Sequence, residues 1–312
     1  MPVITLLDGG LSRELIRFGA ELKQPEWSAG ALIEKPDAVR QVHESFYRAG
    51  AEIATTASYA VVPFHIGEER FARDGLNLAD RSGRLARAAA DAVRDVRPGA
   101  LVAGCLPPAC GSYLPERFDA GHAREILAVL VEGLTPHVDF WLAETMSSLE
   151  EMRVTAAAVQ GTGKPLWISC SLHDDEPFDR QAPPRLRSGE AVQDAVALAV
   201  ELGAEALLFN CSMPEVMEDA VLVARRTLSD LGSDMPLGVY ANAFDRRATD
   251  GDANETLSAI RADLGPDLYL DWADRWIAAG ASLIGGCCGI GADHIAALHA
   301  RYRTKALDGT AA

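Results

Sequence analysis

Along the chain, short apolar runs alternate with longer stretches in which apolar residues recur every three or four positions. Residues 3–7, 52–56, 101–104, 140–143, 166–170, 206–210, 237–240 and 282–286 read as strands. The amphipathic stretches between them, 37–48, 77–96, 122–134, 149–160, 189–202, 213–231 and 268–279, read as helices. Strand and helix in alternation predict a parallel sheet with helical crossovers. Eight strands in 312 residues predict that the sheet closes into an α/β fold of the TIM-barrel type, a (β/α)₈ barrel. An open doubly wound sheet would also yield parallel strands with loops at one end, and the strand count favours the barrel.

Connections between the elements carry a pattern of their own. Four helix-to-strand junctions contain the same pair: Gly50-Ala51, Gly99-Ala100, Gly203-Ala204 and Gly280-Ala281. A left-handed glycine there would end the helix and turn the chain directly into a strand. The strand-to-helix segments 57–75, 105–121, 171–188 and 241–254 are long by contrast, and barrel enzymes build their sites from such loops. Residues 174–187, with Pro177, Pro183 and Pro184, read as a lid. No linker interrupts the alternation, so one domain is expected over 1–304, with a frayed tail at 305–312.

Composition narrows the partners. At 48% hydrophobic and 24% charged the chain is an ordinary folding sequence. Lys and Arg number 29 against 45 Asp and Glu, and the net charge of −16 repels nucleic-acid backbones and anionic membrane surfaces. Small-molecule substrates are the expectation that remains. No apolar run reaches the roughly 18 residues that span a bilayer, and no basic segment precedes the first apolar run as in a secretory signal. Six cysteines are too sparse for a disulfide scaffold, which points to a reducing cytoplasm.

Three of those cysteines carry candidate chemistry. Cys211 follows the sixth strand, and Cys287-Cys288 follow the eighth between Gly285-Gly286 and Gly289. In a barrel both strands end at the same face, so three thiolates can converge there and leave one tetrahedral position open, the pattern of a catalytic zinc. Buried free cysteines that merely pack remain a live alternative, and so, less favourably, does a vicinal disulfide. Cys105, Cys110 and Cys170 read as small hydrophobes of that kind. Asp8 and Glu144 follow the first and fourth strands, so both acids are expected at the same mouth, where a carboxylate can pair with an ammonium group. Either could instead be a turn or helix-start acid. His43 falls on the first long helix, and His294 and His299 read as exposed positions on the last.

With these residues the chain resembles the homocysteine S-methyltransferase family. The likeness runs from Asp8-Gly9-Gly10 through Trp27-Ser28, Thr56-Ala57-Ser58-Tyr59, Glu144-Thr145, Asn210-Cys211 and Tyr240-Ala241-Asn242 to Gly285-Gly286-Cys287-Cys288-Gly289. The resemblance implies a zinc-dependent (β/α)₈ barrel in which Cys211, Cys287 and Cys288 hold one Zn²⁺ and the homocysteine sulfur takes the open position. It further implies that Asp8, Gly9, Gly10 and Glu144 receive the amino-acid end of homocysteine. Trp27 and Tyr59, with Ser58, are implied around the substrates, and Asn210 and Tyr240 beside the metal. Betaine-type members carry an aromatic where this chain has Thr145, so the expected methyl donor is a sulfonium, S-methylmethionine ahead of S-adenosylmethionine. Leu106-Pro107-Pro108, Leu208 and Ala241 depart from the family's usual residues and bear on substrate identity. Another thiol or selenol acceptor, a corrinoid partner, or a barrel that binds zinc and an amino acid without turnover are the competing readings.

Overall fold

The computed structural model describes residues 3–22, 26–174, 182–244 and 261–308. Eight parallel strands form one sheet: β1 Thr5–Leu6, β2 Ile53–Thr55, β3 Leu101–Leu106, β4 Phe140–Met146, β5 Leu166–Cys170, β6 Ala206–Asn210, β7 Leu237–Tyr240 and β8 Leu283–Ile284. The ladder runs β1-β8-β7-β6-β5-β4-β3-β2, and a parallel bridge between Leu7 and Ile53 joins its two ends. The (β/α)₈ barrel expected from the strand count is therefore the observed fold.

Around it lie, among the described residues, α1 Leu11–Arg17, α2 Trp27–Glu34, α3 Pro36–Ala49, α4 Pro63–Ile66, α5 Glu68–Ala92, α6 Ala120–Leu134, α7 Leu149–Ala158, α8 Val192–Glu201, α9 Pro214–Asp230, α10 Pro266–Ala279 and α11 Ala292–Asp308. Helices α1, α2 and α4 were not expected. The segment 57–75 is correspondingly no open loop, because α4 and the first turns of α5 occupy it. Helix α11 continues to Asp308, past the expected boundary at 304, and residues 309–312 lie outside the described residues.

Two apolar layers hold the barrel. Helical faces rich in alanine, such as Ala79, Ala86, Ala89 and Ala90 of α5, pack on the outer surface of the sheet. The lumen holds a smaller cluster that includes Leu7, Ile53, Phe140, Leu142, Leu208, Tyr240 and Leu283. Leu208 faces Gly238 across β6 and β7, and a Cβ on Gly238 would sit 2.6 Å from Leu208 Cδ2, so the bulk of one strand uses the space the other leaves.

Three of the four junction glycines are left-handed as expected, with φ of 127° at Gly50, 70° at Gly203 and 118° at Gly280; Gly99 is not. The proline-rich segment is fastened at both ends. Leu172 and Leu186 form an antiparallel bridge, and Asp174 and Arg187 form a buried ion pair. Met213 N–H also donates to Asp174 Oδ2 at 2.9 Å, which ties the segment to the turn after β6. Residues 175–181, half of the expected lid, lie outside the described residues, as do residues 245–260 of the connection after β7.

Candidate active site and metal centre

The ends of β1, β7 and β8 meet in one knot of backbone. Gly286 N–H donates to Asp8 O at 2.9 Å, Gly10 N–H to Ile290 O at 2.8 Å and Cys287 N–H to Ala241 O at 2.9 Å. This close approach explains two of the glycines. A Cβ on Gly9 would lie 2.3 Å from Ile290 O, and one on Gly10 would lie 2.4 Å from Cys287 O. The first Gly-Gly pair is thus required by the turn after β8 that packs on it, and Gly10 N–H is already spent on Ile290.

Inside the knot Cys211, Cys287 and Cys288 converge. Their Sγ atoms are 2.8 Å apart for Cys211 and Cys287, 3.8 Å for Cys211 and Cys288 and 4.0 Å for Cys287 and Cys288. Tetrahedral zinc with bonds of about 2.3 Å has sulfur–sulfur edges of about 3.8 Å. Two of the three edges already match, and Cys211 and Cys287 need to separate by about 1 Å. Among the described residues this is the group of three or more metal-ligating side chains close enough to hold an ion. The neighbouring thiols Cys211 and Cys288, together with burial, push the Cys287 thiol well up, so without a cation that thiol keeps its proton.

The thiols open into a cavity at the C-terminal ends of the strands, lined by Asp8, Trp27, Tyr59, Tyr113, Glu144 and Tyr240 among others. Burial pushes the Asp8 carboxyl up to about 8, against two opposing hydrogen bonds from Thr55: N–H to Oδ2 at 2.8 Å and Oγ1 to Oδ1 at 3.3 Å. Burial likewise pushes Glu144 up to about 7. Two acids held this way gain most from a cation that enters between them. Four non-glycine residues among those described have a left-handed backbone: Trp27 (φ 45°), Tyr113 (64°), Thr145 (63°) and Cys211 (50°). All four line this cavity. Strain of about 1–3 kcal/mol at each is held in place by the surrounding structure, and strain of this kind gathers at functional sites.

A family model for homocysteine S-methyltransferase matches residues 5–302. The chain belongs to the homocysteine S-methyltransferase family. It is 33% identical to the homocysteine S-methyltransferase of Escherichia coli, over 96% of this chain and 95% of that protein. A selenocysteine methyltransferase of Astragalus bisulcatus is 25% identical over 91% of this chain and 88% of its own length. Among solved structures, the metallated form of the homocysteine methyltransferase MmuM from E. coli superposes with a TM-score of 0.76, at 31% identity and 96% coverage of each chain. The chain is thus a methyltransferase-family barrel whose three-cysteine group is able to hold a metal.

Most residues expected at a homocysteine S-methyltransferase site come together here. Asp8, Gly9, Gly10, Trp27, Tyr59, Glu144, Tyr240 and the three cysteines all line the cavity. Ser58 and Asn210 are fully buried behind its wall. Ser58 Oγ donates to Cys105 O at 2.8 Å. Asn210 Oδ1 accepts from Thr145 N–H at 3.1 Å and Ser169 Oγ at 2.7 Å, while its Nδ2 donates to Thr145 Oγ1 at 2.8 Å. Asn210 therefore holds the bulge in β4 at Thr145, and so the backbone of Glu144.

Three further readings change. Cys105 is not merely packed: its Sγ donates to Glu144 Oε2 at 3.1 Å. His294 and His299 are half-buried, not exposed, and His294 Nε2 donates to Leu264 O at 2.9 Å while Nδ1 accepts from Gly291 N–H. Sequence reasoning also missed Arg13, His65, Tyr113 and Phe244 on the cavity wall. Arg13 and His65 belong to helices too short to show a clear period, and Tyr113 owes its place to a left-handed turn.

Proposed function

We propose that this chain transfers a methyl group from a sulfonium donor, S-methylmethionine ahead of S-adenosylmethionine, to the thiolate of L-homocysteine, and that it depends on zinc. The observation that carries the reading is the opening of three convergent thiols into a cavity that also presents Asp8, Glu144 and aromatic faces. Cys211, Cys287 and Cys288 would hold one Zn²⁺ per chain, a three-protein-ligand set of the kind that leaves room for a substrate atom. Bound there, zinc supplies the charge that keeps an acceptor thiol deprotonated, a gain of about thirtyfold in thiolate at pH 7 for a thiol of pKa about 8.5.

The rest falls to the chain's own side chains. Asp8 and Glu144 pair with the acceptor's ammonium group and fix its sulfur. Trp27 and Tyr59 offer ring faces to the donor's positive charge, worth about 0.5–2 kcal/mol. Holding sulfur and methyl carbon in line at about 3–3.5 Å contributes the larger share of the rate. The acceptor S–C bond forms as the donor C–S bond breaks, and the donor leaves as a neutral thioether, so no general acid is required. Three thiols at the centre, none joined in a disulfide, suit a reducing compartment, the cytoplasm.

Methionine formation from homocysteine, measured on zinc-loaded and chelated protein with each donor separately, tests the reading. Activity lost on chelation and restored by zinc supports it, and the faster donor identifies the substrate. A zinc-loaded chain silent with both donors overturns it. A selenol acceptor is a second reading, supported by the likeness to a selenocysteine methyltransferase, and selenocysteine in place of homocysteine tests it in the same assay.

A further inference from the structure

Cys105 sits at the end of β3 with no exposed surface, yet its thiol reaches the acid that the proposed acceptor would meet. The register explains the contact. Cys105 lies opposite Leu142 in β4, and Glu144 is two residues further along, so its side chain leaves the sheet on the same face. The base of the thiol is fixed from both sides. Cys105 N–H donates to Thr56 Oγ1 at 2.9 Å, Ser58 Oγ donates to Cys105 O at 2.8 Å, and the two hydroxyls are 2.9 Å apart. Glu144 is held in turn at its backbone, through the Asn210 bonds to Thr145. The carboxylate thus has one end set by β4 and one oxygen set by Cys105.

The donor's chemistry suits that task. Burial, and then the charge of Glu144, push the Cys105 thiol well up, so it stays an S–H donor at neutral pH. A thiol is a weak, neutral donor. It orients a carboxylate without neutralising it, whereas a lysine or arginine in its place would compete with an incoming cation.

We propose that Cys105 is a positioning residue that aims the Glu144 carboxylate at the acceptor's ammonium group and so makes the site select thiols that carry a free α-amino group. This rests on the reading of the acceptor as an amino-acid thiol. The test is calorimetric binding of L-homocysteine and of 4-mercaptobutyrate, which lacks the amino group, to zinc-loaded protein. Wild-type protein is compared with Cys105→Ala, with Cys105→Val, which fills the thiol's volume without a donor, and with Cys105→Ser, which keeps a donor.

Both donorless variants are expected to lose about tenfold in homocysteine affinity and less than about twofold for the desamino thiol, as for one hydrogen bond to a charged group. Cys105→Ser is expected to recover most of the loss, and the homocysteine KM in the transfer assay should follow the same order. Equal losses for both thiols, or no loss for either, would assign Cys105 to packing alone and overturn the proposal. The outcome for wild-type protein keeps the two questions apart. A wild type that binds both thiols equally sinks the amino-acid reading. A wild type that prefers homocysteine, with donorless variants that keep the preference, sinks the role of Cys105.

Discussion

Replacing Asn210 by alanine removes a fully buried amide that makes three hydrogen bonds within the protein. Thr145 N–H and the Ser169 hydroxyl lose their partner in a region water does not reach, at about 1–3 kcal/mol each. The Thr145 backbone, at φ 63°, stores strain of about 1–3 kcal/mol that the Asn210 amide helps to hold. Part of that strain is released if the bulge relaxes, so the expected net loss is about 3–5 kcal/mol, or roughly 2–3 °C of melting temperature per kcal/mol. Relaxation of Thr145 also carries Glu144 away from the cavity, so the homocysteine KM should rise while the donor KM changes little. Urea unfolding and steady-state kinetics on the same preparation measure both effects. In the double variant Asn210→Ala, Thr145→Gly, the glycine accepts the left-handed backbone without penalty, and the combined loss should fall short of the sum by about 1 kcal/mol. A loss under about 1 kcal/mol with KM unchanged would show that Asn210 does not hold the bulge.

Other expectations follow from the same geometry. Cys287→Ser should abolish zinc binding while leaving the barrel's far-ultraviolet dichroism in place; full zinc occupancy in that variant, measured by metal analysis, would refute the ligand assignment. Gly10→Ala forces a Cβ to within 2.4 Å of Cys287 O, so it should cost about 1–3 kcal/mol and weaken zinc binding, whereas Gly99→Ala, with nothing within 4 Å, should do neither. Burial pushes Glu151 up to about 7 from 4.5, so the native state holds its proton longer than the unfolded chain does. Its penalty is absent below pH 4.5, grows as pH rises and is complete above pH 7. Wild-type protein should therefore lose about 2–3 kcal/mol relative to Glu151→Gln between pH 5 and pH 8 in urea titrations, and parallel pH profiles would contradict the assignment.

Much of the fold was legible because strands buried on both faces are continuous apolar runs. Strands β5, β6 and β7 begin and end where those runs do. Strand β4 runs past its apolar segment through Glu144, Thr145 and Met146. Its polar extension persists because Asn210 and Cys105, from other strands, satisfy it. Helices α1, α2 and α4 escaped because they are seven, eight and four residues long, too short for a period to stand out.

The sequence by itself determined the alternation of eight strands with helices, the face at which loops gather and the cysteines that end β6 and β8. Each depends on local pattern, which a chain carries wherever it folds. Only the tertiary structure decided that Cys105 serves Glu144, that Asn210 and Ser58 stand behind the wall, and that Gly9 and Gly10 make room for the turn after β8. Those roles arise between residues 39 to about 280 positions apart, and no periodicity encodes which side chains meet when the ends of the ladder join.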